Sequence, residues 1–131
     1  MNTTLLMQAS SIFMGVLGLG AIFMPQELLA YGAAQSGVAG LAAMQITGAL
    51  YFGFAMLNWA AQANLMGGIY SRPVAIGNLT HFTVASIAIL KIALAGERSI
   101  PIIAAACIYT VFAILFAWVV FRHPVVRAAK R

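Results

Sequence analysis

Apolar side chains run along this sequence in four blocks, at residues 4–24, 38–62, 73–96 and 99–121, and every charged residue except Lys91 lies outside them. Each block reaches the roughly 20 residues an α-helix needs to cross the hydrocarbon core of a bilayer. None shows the ten-residue alternation of a barrel strand, and lipid accepts only helices or closed barrels. The pattern predicts an all-α membrane protein, a four-transmembrane-helix antiparallel bundle forming one domain over residues 1–131. The first block has no basic residue ahead of it and no small-residue cleavage motif at its end, so it reads as a retained helix rather than a signal peptide.

Prolines mark the block ends: Pro25, Pro73, Pro101 and Pro124. After the first block, PQELLAYG predicts a short interfacial helix. Pro25 opens it, Glu27 sits in its first turn where the helix dipole favours an acid, and Gly32 ends it. Gly67 and Gly68 supply a bend between the second and third blocks. LAGERSIP leaves almost no loop between the third and fourth, which must therefore be antiparallel neighbours.

The polar positions inside the blocks are few and patterned. In the first, Gln8, Ser11, Gly15 and Gly18 share one side; in the fourth, Ala106, Thr110, Ala113 and Ala117 form a stripe. Small residues allow close backbone approach in lipid, so both sets predict packing seams. In the second block Thr47, Tyr51, Ala55, Asn58 and Gln62 fall within an arc of roughly 80° at about 100° per residue. An unpaired amide in hydrocarbon is costly, so this stripe is expected to turn inward. It either bonds to other helices or lines a polar pocket. In the third block Asn78 and His81 share a face in its first half, at a depth similar to Asn58 and Gln62. A polar cluster of Asn58, Gln62, Asn78 and His81 is the resulting expectation. Lys91 lies in the other half on a different face. Its stem can carry the ammonium to the interface, with Glu27 or Glu97 as counter-charge, or it acts as an intramembrane cation.

Composition agrees with this solvent. Of 131 residues 63% are hydrophobic and 7% charged, against about 25% charged in a soluble domain. The formal net charge of +5 comes from an uneven distribution. Arg72, Arg122, Arg127, Lys130 and Arg131 fall on one side of the membrane and Arg98 on the other, which places both termini in the cytoplasm of an inner-membrane protein. Trp59, Tyr70 and Trp118 then gather near the inner boundary and Tyr31 near the outer one. Such a bias disfavours dual-topology dimers. The basic tail FRHPVVRAAKR reads as a topology anchor touching anionic lipid headgroups rather than a nucleic-acid site.

Much chemistry lacks its groups. No block contains Asp or Glu, so a proton-coupled exporter would lack its membrane carboxylate. His81 and His123 are the two histidines and Cys107 the one cysteine, which supports no metal, haem or thiol-redox centre within one chain. Ser10 and Ser11 have no nearby base. No cofactor and no enzymatic activity are expected.

GVLGLGAIFMPQELLAYG at residues 15–32, a glycine-rich span ending in proline and followed by a short amphipathic piece, resembles small bacterial DoxX-like four-helix membrane proteins. GGIYSRPVAIGN at 67–78 is compatible with it. The resemblance implies the four-span architecture and an association with oxidoreductase or quinone-linked systems; it assigns no residue a role. The leading functional expectation is a non-enzymatic accessory or interaction subunit, its partners being membrane lipids and another membrane protein or further copies of itself. The alternative is a binder or carrier of a small amphiphile, a quinone or lipid, near Tyr51, Asn58, Asn78 and His81. An ion or solute pathway through His81 and Lys91 is a third.

Overall fold

The computed structural model describes residues 2–32, 37–63, 71–96 and 99–122. These are all-helical: α1 (Thr3–Phe23), α2 (Pro25–Tyr31), α3 (Val38–Ala61), α4 (Arg72–Leu94) and α5 (Ile100–Arg122). Among them α1, α3, α4 and α5 are long and apolar enough to cross a membrane. Their bounds fall within two residues of the apolar blocks. The bend expected at Gly67 and Gly68 lies outside the described residues, as do Tyr70, Glu97, Arg98 and residues 123–131.

Local chemistry sets the helix ends. Asn2 caps α1, its side-chain oxygen accepting from Thr4 N–H at 3.1 Å and Leu5 N–H at 3.4 Å, which satisfies two of the amides that a first turn leaves without helical partners. Pro25 occupies the first turn of α2, Glu27 follows it, and the helix stops at Gly32. At the far end of α4 the chain turns at Gly96 with φ +117°, a conformation that side chains with a Cβ rarely adopt.

The chain divides into two compact units, Met1–Ala63 and Asn64–Arg131. In the first, α1 and α3 are antiparallel: the Gln8 amide donates to Gln62 Oε1 at 2.7 Å near one end, and Gln45 Nε2 donates to the Ile22 carbonyl at 3.4 Å near the other. Between them the backbones touch at two glycines. A Cβ on Gly18 would stand 2.7 Å from the Phe52 nitrogen and 2.9 Å from the Gly48 oxygen; one on Gly48 would stand 2.8 Å from the Gly18 oxygen. For helices able to cross a membrane, apolar faces gain nothing by leaving lipid for each other, and packing at this range is what would replace the hydrophobic drive of a soluble core. The expected seam of Ser11, Gly15 and Gly18 is present.

The second unit holds its helices by different means. Phe82 of α4 is fully buried. Its ring stacks on Phe112 (centroids 4.7 Å, planes 22° apart) and Phe116 (5.6 Å, 10°), and meets Tyr109 at 5.6 Å. The buried face of α5 is Ala106, Tyr109, Phe116 and Val119. The expected stripe of Ala106, Thr110, Ala113 and Ala117 is therefore not the centre of contact. Bulky rings need volume on the facing helix, and the buried face is turned by roughly 80° toward the aromatic side.

Candidate functional site

Polar groups of the first unit concentrate at the Gln8–Gln62 end of the α1–α3 seam. Ser10 and Asn58 are both fully buried. Asn58 Nδ2 donates to Ser10 Oγ at 3.1 Å, and Ser10 Oγ donates to the Met7 carbonyl at 3.0 Å. One turn along, Ser11 Oγ donates across to the Ala55 carbonyl at 2.6 Å. Bonds linked in series polarise one another where the dielectric is low. The cluster ties α1 to α3 by side chain to side chain and side chain to backbone together.

Its members come from the inner face of α3, but not from all of the sequence stripe. Ala55 and Asn58 are buried, Tyr51 and Gln62 half-buried, and Thr47 is exposed. Thr47 corrects the inward expectation for that position. Its hydroxyl donates to the Ala43 carbonyl of its own helix at 2.8 Å, so it meets its hydrogen-bonding demand without a neighbouring helix. The contacting face runs instead through Gly48, Ala55, Asn58 and Gln62.

In the second unit Asn78 is fully buried and its Nδ2 donates to the Val74 carbonyl one turn back at 2.9 Å. His81 is half-buried; its ring meets Phe82 edge-on, centroids 5.2 Å apart and planes at 80°, and lies tilted 6.1 Å from Tyr109. Farther along, Thr110 donates to the Ala106 carbonyl at 2.7 Å and accepts from Ser86 at 2.8 Å. Lys91 is exposed in the last turn of α4. Asn58 and Gln62 thus share the first unit, while Asn78, His81 and Lys91 belong to the second.

Sequence reasoning passed over Ser86 and Tyr109. Both had a signal. Asn78, Phe82 and Ser86 recur every four residues on one face of α4, and Tyr109, Phe112 and Phe116 recur at i, i+3 and i+7 on α5.

Beside the Ser86–Thr110 pair, a groove of about 470 Å³ runs along α4 and α5, lined by Leu90, Ala93, Ile103, Cys107, Thr110 and Val111 among others. Thr110 is its polar wall and is already engaged. The groove suits an apolar chain and offers little to orient a polar headgroup. Among the described residues no three of His, Cys, Asp and Glu come together as a metal site.

The Ser10–Asn58 bond makes a direct prediction. Asn58→Leu should cost about 0.6–2 kcal/mol, the range for interhelical hydrogen bonds in membranes. In a double-mutant cycle with Ser10→Ala, read by unfolding in mixed micelles, the double variant should lose less stability than the two single losses added together. Strict additivity would show that the bond does not hold the two helices together.

No protein-family model, curated protein or solved structure matches the chain.

Proposed function

We propose that this chain is a multi-pass inner-membrane protein with both termini in the cytoplasm, acting as a non-enzymatic accessory or interaction subunit of the DoxX-like kind. The observation that carries the reading is the closed use of polar groups along the α1–α3 seam. Gln8, Ser10, Ser11, Asn58 and Gln62 bond to one another or to the facing backbone, so their chemistry is taken up in joining helices. The faces that each unit's own helix pair leaves uncovered are apolar, with Val16, Leu50 and Met56 exposed in the first and Val84 and Ile114 in the second. Such faces suit contact with lipid or with another membrane protein. The orientation follows from the five-to-one distribution of basic residues, and α2, with Leu28 and Tyr31 exposed, would lie at the outer interface.

The groove on α4 and α5 favours a second reading, in which a small amphiphile such as a quinone or lipid lays its apolar tail there. Native mass spectrometry of the chain released from mild detergent separates the two. The subunit reading expects a co-migrating membrane protein in stoichiometric amount. The amphiphile reading expects a mass increment of one small molecule that disappears in Ala93→Phe, which fills the groove. A chain that flies alone and unmodified removes both.

A further inference from the structure

We infer that the α1–α3 hairpin carries no orientation signal of its own, and that the cations of the second unit, Arg72 first among them, decide which way it faces in the membrane. The inference rests on the multi-pass reading with both termini in the cytoplasm. All seven lysines and arginines of the chain stand at position 72 or later, and the one charged side chain before them is Glu27. Basic residues close to the ends of spans set membrane orientation, whereas acids contribute little. The first unit, Met1–Ala63, therefore brings two helices long and apolar enough to cross a bilayer and none of the residues that orient them.

The geometry of the first unit makes its orientation a single choice. Gln8 and Gln62 fasten α1 to α3 near one end, Ser11 and the Ala55 carbonyl farther along, Gly18 and Gly48 at the crossing, and Gln45 and the Ile22 carbonyl near the other end. Inverting one helix without the other would break all of these contacts, so the pair turns over together or not at all. The second unit differs in having an electrically marked end. Ser86 meets Thr110 and Phe82 stacks on Phe112 and Phe116, so α4 and α5 run antiparallel. Arg72 opens α4 and Arg122 closes α5, equally far in sequence from Phe82 and Phe112, which sets both arginines at the same end. Arg127, Lys130 and Arg131 follow in sequence. The membrane potential and the anionic lipids of the cytoplasmic leaflet hold such cations inside. The stretch from Gln62 to Arg72 is far shorter than the roughly 20 residues a helical crossing takes. The Gln62 end of the first hairpin is thus kept on the side that holds Arg72.

The test reads the sidedness of each hairpin in the full chain carrying Cys107→Ala, which removes the native thiol. Tyr31→Cys reports the first unit and Ser99→Cys the second, both at exposed positions. A membrane-impermeant maleimide is applied to spheroplasts and to inverted vesicles. With the parent charges, both sites should label from outside. Combining Arg72→Gln, Arg122→Gln, Arg127→Gln, Lys130→Gln and Arg131→Gln leaves Lys91 and Arg98 as the remaining cations. The outside-to-inside labelling ratio at Tyr31→Cys should then fall at least about tenfold. Adding Ala63→Lys, at an exposed position on the Gln62 end of the first hairpin, should restore the parent ratio, which separates a lost signal from a lost fold. Tyr31→Cys labelling that stays outside after the five changes, or that Ala63→Lys fails to restore, overturns the proposal and leaves the orientation reading standing. Labelling from inside with the parent charges removes both.

Discussion

Gly18→Ala should destabilise the α1–α3 pair by about 1–3 kcal/mol, the usual cost of forcing atoms into a well-packed contact. The added Cβ would lie 2.7 Å from the Phe52 nitrogen and 3.1 Å from its Cα. Both belong to backbone, which cannot swing aside as a long side chain can. Alanine is the better helix former by up to about 1 kcal/mol, so the net effect is smaller than the clash alone but keeps its sign. Gly15→Ala is the matched control. There the new Cβ meets only Ala55 Cβ at 3.6 Å, an ordinary contact, and the propensity gain should leave stability unchanged or slightly higher. Unfolding midpoints in a series of mixed micelles measure both. If Gly18→Ala and Gly15→Ala behave alike, the glycine crossing does not limit how closely these helices approach.

Phe82→Ala should be the most damaging single change in the second unit. Its ring stacks on both Phe112 and Phe116 and also meets Tyr109 and His81. In a water-soluble core such a truncation costs about 3–5 kcal/mol, part transfer and part cavity. In lipid the transfer part falls away, because the unfolded alternative is also surrounded by hydrocarbon; the lost ring contacts remain, so about 2 kcal/mol is expected. Phe82→Leu, which refills much of the volume without stacking, should recover roughly half of that loss. Near-equal stability of Phe82→Ala and the parent in the same titration would show that the rings touch without holding α4 to α5.

The helices were legible because lipid imposes one rule on every residue of a span: backbone groups must bond internally, so length and apolar content suffice. The short α2 was legible for a different reason, its proline, acid and glycine standing where a seven-residue helix uses them. Asn58 and Gln62 could be placed on a contact face from spacing alone. Their bonding partners could not, because Ser10 and Gln8 lie about fifty residues earlier and nothing local encodes the pairing. Thr47 misled because a threonine can return its hydroxyl to its own helix, as it does to Ala43, whereas Asn58 reaches across to Ser10. The α5 stripe misled because small size marks where helices can approach closely, while Phe82 marks where they must leave room. Ser86 and Tyr109 carried readable periodicity hidden among residues of similar hydrophobicity.

Every contact described for the α1–α3 seam joins partners within the first 62 residues. During synthesis the N-terminal helical hairpin therefore has all its own fastenings before α4 has been made. At about 5–20 residues per second, residues 64–131 take several seconds more to emerge. That interval is long compared with the microseconds to milliseconds of helix adjustment. The ribosome can thus deliver the later hairpin into a bilayer where the earlier one is already latched.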